Sequence, residues 1–235
     1  MPISSDNNRA QARAQLEQRL GYTFVDRTLL AYALTHRSAG PNHNERLEFL
    51  GDGVLNFVIA AALFERHPNA PEGDLSRLRA ALVRETTLAG IADELGLAEM
   101  LVLGPGETRS GSRRRASIRA DTVEAVLGAI YCDAGFDIAA EVISRLYATR
   151  LADLPTADSL KDAKTRLQEW LQARSRMRPE YEVISVSGAD HAQHFVARCR
   201  LSDTGEIVDG EGGGRRKAEQ DAAKRMLERL EGSIS

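Results

Sequence analysis

Two apolar stretches of this 235-residue chain carry carboxylates at helical spacing. In NERLEFLGDGVLNFVIAAALF, Glu45, Glu48 and Asp52 stand at i, i+3 and i+7, within about 60° of one another on a helix turning roughly 100° per residue. In IRADTVEAVLGAIY, Asp121 and Glu124 stand at i and i+3. Like charges so spaced destabilise an isolated helix, and Leu47, Leu50, Leu55 and Val58 mark much of the first segment as buried. Acids crowded beside a buried face need hydrogen bonds, basic partners, protons or a cation to compensate them. With oxygen ligands alone and no His or Cys in either motif, the fitting cation is a hard one, Mg²⁺ or Mn²⁺.

A solvated acidic face, neutralised by Arg46 or other arginines, explains the same spacing, and for a single pair it is the commoner outcome. Two pairs inside two apolar helices leave both explanations open.

Basic residues cluster elsewhere. GEGGGRRKAEQDAAKR sets Arg215, Arg216 and Lys217 at an expected helix N-terminus, where backbone N–H groups and the positive dipole end favour phosphate. A flexible glycine loop before an ordinary helix is the equal alternative. The segment GPGETRSGSRRRAS, 104–117, carries Arg109, Arg113, Arg114 and Arg115 but lacks the GK[ST] ending of a nucleotide phosphate loop. A basic loop against a nucleic-acid backbone fits it better, with a solvated charge run as the rival. His191 and His194 lack Cys or acidic support for a metal, and Trp170 and Phe195 read as core residues. Few exposed aromatics are expected, which disfavours recognition of single strands by stacking.

Helices must position these groups. Apolar residues recur at three- and four-residue spacing through the first 150 positions, giving expected helices at 8–20, 26–36, 44–66, 74–95, 116–134 and 137–152. Asp74 is the expected N-cap of the fourth, and His67-Pro68 the stop of the third. The periodicity ends at LADLPTADSLKD, so the division is a helical domain at 1–152, a linker at 153–160 and a second domain at 161–235. The second domain reads as a helix (DAKTRLQEWLQAR), three strands (YEVISVS, HFVARCRL, EIVDGEG) and a closing helix, with a turn at Ser202-Asp203-Thr204-Gly205. That α-β-β-β-α order suggests helices on one face of a small antiparallel sheet.

Net charge is −3, which argues against a uniformly basic nucleic-acid binder, yet it divides as −4 over residues 1–158 and +1 over 159–235. All four lysines lie in the second part. The N-terminus lacks a signal-peptide profile and no run of about 18 apolar residues is evident, so a soluble cytoplasmic protein without a membrane partner is expected. Cys132 and Cys199 show no CxxC spacing, and each reads as a small core residue.

Together these segments resemble bacterial ribonuclease III, a double-stranded-RNA endonuclease. HNERLEFLGD matches that family's signature and ADTVEAVLGAIYCD its second acidic helix, while THRS, GPGE and the terminal RRKAEQ complete the order over about residues 10–231. The resemblance implies an all-α endonuclease domain followed by a small α+β double-stranded-RNA-binding domain. It implies that Asp52 and Glu124 are catalytic, that Glu48, Asp121 and Glu124 ligate Mg²⁺ with Asp52 in the same set, and that Glu45 is a secondary acidic position. It implies RNA contacts from Gln168, Glu169, His191, Arg215, Arg216 and Lys217. The implied enzyme is a homodimer that leaves 5′-phosphate and 3′-hydroxyl ends and processes ribosomal RNA precursors and other structured transcripts. Gly53 and Gly214 depart from the pattern, each standing where serine is usual. Two rival functions are a non-cleaving RNA-binding regulator, which would be favoured by a neutral residue at an acidic position, and a phosphohydrolase of small nucleotides, which would leave the second domain unexplained.

Overall fold

A computed structural model describes residues 3–156, 160–189 and 193–232 of the chain. The chain divides into two compact units, Met1–Ala157 and Asp158–Ser235.

The first unit is helical: α1 (Ile3–Leu20), α2 (Arg27–Ala33), α3 (Glu45–Arg66), α4 (Glu72–Val83), α5 (Glu85–Leu95), α6 (Pro105–Arg109), α7 (Ala116–Ala134) and α8 (Phe136–Ala152). Its central helix is α7, whose Val123, Ala125, Val126, Leu127, Ala129 and Ile130 are all buried. A helix buried over so much of its length belongs inside a bundle, and α2, α3, α5 and α8 pack around it. The crossing of α3 and α7 is set by two glycines. A Cβ on Gly51 would lie 1.8 Å from the Glu124 carbonyl oxygen, and one on Gly128 would lie 2.1 Å from that of Leu47. Only hydrogen fits between the backbones there, which brings the acidic turns of the two helices side by side.

Several expectations are corrected. Residues 74–95 are two helices rather than one, because Arg84 is extended (ψ 153°) and its carbonyl accepts from Thr87 N–H and Leu88 N–H to start α5 afresh. The side chain of Asp74 caps nothing: α4 begins two residues earlier, and Asp74 instead pairs with Arg77. Cys132 is exposed, although Cys199 is fully buried. Leu55 and Val58 are buried as expected, but Leu47 and Leu50 only half so. Exposed aromatics are present after all, since α3 shows solvent Phe49, Phe57 and Phe64 at 83%, 62% and 70% exposure. This helix is also long and apolar enough, by length and composition only, to cross a bilayer. It begins with the acidic Glu45 and Glu48, and one face of it packs on α7.

The second unit contains α9 (Ala163–Gln172), β1 (Glu180–Ser187), β2 (His194–Arg200), β3 (Ile207–Gly212) and α10 (Arg215–Gly232). The strands form an antiparallel sheet in the order β1-β2-β3, with Tyr181 opposite Cys199 and Cys199 opposite Val208. A register shift between Val183 and Ser185 bends the edge strand. Leu167 and Leu171 of α9, Cys199 and Leu201, and Ala222, Met226, Leu227 and Leu230 of α10 form the core. Asp162 caps α9 by accepting from Thr165 N–H at 2.9 Å.

Candidate active site

Glu48 lies in the first turn of α3, and Asp121 and Glu124 one turn apart on α7. One carboxylate oxygen from each lies within 4.8 Å of the other two, and all three side chains are half-buried. Among the described residues no ion pair involves any of the three, so Arg46 and its neighbours do not neutralise them. Arg37 pairs with Glu45 instead, at 3.0 Å.

The uncompensated charge is felt throughout the cluster. Burial, then the charges of Asp52, Glu48 and Asp121, push the Glu124 carboxyl up to about 8. Glu48 is raised by burial and by Asp121, Glu45 and Asp52, against the pull of Arg37. Asp121 is raised by burial and by Glu85, against His36. Carboxyls held this way want either protons or a cation, and an all-oxygen set suits a hard divalent ion. Asp52 is not within the tight triad. It sits one turn beyond Glu48 on the same face, exposed, with its carboxylate accepting from Asn56 Nδ2 at 2.6 Å.

The basic loop is partly structural. Arg113 donates to the carbonyls of Ala98 and Glu99 at 3.1 and 3.3 Å, which tethers it, whereas Arg109 and Arg114 are exposed. Arg115 lies 3.5 Å from the Glu107 carboxylate, which also accepts from Ser112 Oγ.

In the second unit, a cleft of about 590 Å³ lies between the starts of α9 and α10, lined by Lys164, Gln168, Arg215 and Arg216 among others. Arg215 is held by Glu219 at 2.9 Å, and Arg216 and Lys217 are exposed. Glu169 accepts from Lys161 Nζ at 2.6 Å. His191 lies outside the described residues.

Comparison with known proteins decides what this arrangement is. A Ribonuclease-III-like family model matches residues 26–151, and a double-stranded RNA binding motif matches 163–230. Ribonuclease 3 of Alkalilimnicola ehrlichii is 59% identical over 216 residues, covering 92% of this chain and 95% of the relative. The chain belongs to the ribonuclease III family. Ribonuclease 3 of Proteus mirabilis is 52% identical over 217 residues, covering 92% and 96%. Among solved structures, the nuclease domain of ribonuclease III from Campylobacter jejuni superposes with TM-score 0.57 at 43% identity, covering 60% of this chain and 97% of that one.

As a ribonuclease III, the protein is a double-stranded-RNA endonuclease of a metal-dependent family, and its acidic cluster can hold the metal. Sequence reasoning missed two groups beside that cluster. Glu85 at the start of α5 acts on Asp121 from outside either acidic motif, a proximity created by tertiary packing alone. His36, quoted within THRS but given no role there, lines the same opening through a loop pairing of Thr35 with Val102.

Proposed function

We propose that this ribonuclease III is a Mg²⁺-dependent hydrolase of RNA duplexes that leaves 5′-phosphate and 3′-hydroxyl ends, and that ribosomal RNA precursors and other structured transcripts are its cytoplasmic substrates. The observation that carries the reading is the convergence of Glu48, Asp121 and Glu124 to within 4.8 Å with no basic partner among the described residues. These three are the proposed ligands. When bound, the cation supplies Lewis-acid polarisation of the phosphate and activation of water near neutral pH. Asp52, whose carboxylate accepts from Asn56 Nδ2, is the proposed fourth carboxylate and would accept a proton from the attacking water. The water oxygen joins phosphorus, the bond to the 3′-oxygen breaks, and that oxygen leaves with a proton as the 3′-hydroxyl. Glu45, held by Arg37 at the rim, plays a secondary part.

The proposed organisation is a catalytic domain at 1–152, a linker at 153–160 and an RNA-binding domain at 161–235. Gln168, Glu169 and His191 are assigned to the shallow minor groove, and Arg215, Arg216 and Lys217 to phosphates across the narrow major groove. Arg216 and Lys217 are exposed at the start of α10, as such a role needs. A homodimer is proposed through the phenylalanine face of α3. One Campylobacter jejuni nuclease-domain structure, 45% identical with TM-score 0.56 over 57% of this chain, is described as concerning a region involved in dimer formation. Phe57 makes an edge contact with Phe136 at 5.6 Å, and Phe49, Phe57 and Phe64 are all exposed along α3. Patches of this kind mark interfaces.

The test is cleavage of a long duplex with Mg²⁺ or EDTA, followed by end labelling. Cutting in Mg²⁺ only, with 5′ ends that accept label only after phosphatase treatment, is expected. Cutting in EDTA, or free 5′-hydroxyl ends, would contradict the reading.

A further inference from the structure

The segment before α3 is stitched to the loop before α6. His36 N–H donates to the Val102 carbonyl at 3.0 Å, Val102 N–H to that of Leu34 at 2.9 Å, and Gly104 N–H to Ser38 Oγ at 2.9 Å. Asn44 N–H then donates to the Thr35 carbonyl, and Glu48 N–H to that of Asn44, both at 2.9 Å. This chain of bonds fixes His36 relative to Glu48. Both residues line a cavity of about 480 Å³ together with Glu107, Arg115 and Asp121.

The imidazole is oriented within this frame. Ser38 N–H donates to His36 Nδ1 at 3.2 Å, and Ser38 Oγ lies 2.8 Å from the same nitrogen. A ring nitrogen that accepts a backbone N–H carries no proton, so in the neutral ring the proton resides on Nε2. Among the described residues Nε2 has no hydrogen-bond partner. A phosphodiester brought beside Glu48 and Asp121 meets like charge, and a donor at the rim offsets part of that repulsion. Of the other cations at the opening, Arg37 is engaged by Glu45 and Arg115 by Glu107.

We propose that His36 is a substrate-contacting residue whose Nε2–H donates to a phosphate oxygen of the RNA strand seated beside Glu48 and Asp121. The inference rests on the nuclease reading above.

Two substitutions in the full chain separate this role from a structural one. His36→Asn keeps an acceptor for Ser38 N–H, since Asn is a strong N-cap, but withdraws the distal donor. His36→Gln keeps an amide N–H near the Nε2 position and weakens the cap. Single-turnover cleavage of a duplex in saturating Mg²⁺ is expected to fall at least about tenfold for His36→Asn, with a smaller loss for His36→Gln. The Mg²⁺ concentration for half-maximal rate, and duplex affinity in Ca²⁺, are expected to stay near wild type. Wild-type rate in His36→Asn, or a larger loss in His36→Gln than in His36→Asn, would reduce His36 to a turn cap and overturn the inference. A raised Mg²⁺ requirement in His36→Asn would also overturn it, by placing the effect on the carboxylates. Failure of the wild type itself to cut would instead overturn the nuclease reading beneath it.

Discussion

At the scale of single residues, the acidic motif was legible because its i, i+3, i+7 spacing inside apolar sequence is a local pattern. Spacing alone could not say which acids converge; the resemblance named Glu48, Asp121 and Glu124, and the crossing of two helices brings those three together with Asp52 outside the tight set. Glu219 shows the same limit in the second unit. It reads as one more charge in RRKAEQ, yet it is only 8% exposed and joins Lys164 at 2.7 Å to Arg215 at 2.9 Å. Burial alone would raise its pKa, but hydrogen bonds from Lys164 and Arg215 prevail and lower it. A depressed folded pKa adds stability that is present above the unfolded glutamate value of 4.5 and is lost as pH falls through the folded one. Trp170, the chain's only tryptophan, packs against this core and reports its unfolding. Its fluorescence-detected midpoint should therefore drop more below pH 4.5 in the wild type than in Glu219→Gln; equal pH profiles would remove Glu219 from the account. At Gly214 an added Cβ meets nothing within 4 Å, so Gly214→Ser fits without strain. It should strengthen duplex binding by about 1 kcal/mol at most, as one added hydrogen bond would, measurable by titration in Ca²⁺.

At the scale of elements, helix identity followed from periodicity, and the α-β-β-β-α order of the second unit followed from alternation between turn residues. Boundaries failed where one residue decides. Nothing in LVRETTL marks Arg84 as extended, since it is neither Gly nor Pro, and the break appears only when α5 turns to pack on α7. The exposure of the α3 phenylalanines went against the expectation of few exposed aromatics, because an apolar side chain announces burial without saying in which molecule. The element that matters most to function is the glycine-spaced crossing of α3 and α7. Gly128→Val would drive a branched side chain into the Leu47 carbonyl, a collision that exceeds the usual 1 to 3 kcal/mol of overpacking, roughly. The variant should lose the α3–α7 register and with it the acidic triad. Thermal unfolding and Mg²⁺-dependent cleavage measured together should fall together; a stable and fully active Gly128→Val would refute the crossing as the device that sets the site.

At the scale of the whole molecule, the −4 and +1 halves carry different tasks. The acidic part holds the carboxylate cluster proposed to take the cation, and the second part exposes Arg216 and Lys217, the proposed phosphate contacts. Replacing Arg215, Arg216 and Lys217 by alanine should weaken duplex binding and flatten its dependence on salt by about one unit of slope per lost phosphate contact. An unchanged slope would move the RNA contact elsewhere. The phenylalanine face belongs to this scale as well. Phe57→Glu with Phe64→Glu should shift sedimentation from dimer to monomer, and a persistent dimer would place the interface on another surface.

The central claim is that the carboxylates at the α3–α7 crossing cut RNA by holding a divalent cation. Glu124 is the most direct probe, because burial and then the charges of Asp52, Glu48 and Asp121 push its carboxyl up to about 8, and Gln replaces it without changing its shape. Cleavage of a long RNA duplex by wild type and Glu124→Gln should be compared in Mg²⁺, alongside duplex binding in Ca²⁺. The account expects Mg²⁺-dependent cutting by the wild type alone, with equal binding by both proteins and no loss of folding stability in the variant. Wild-type cleavage by Glu124→Gln would contradict it.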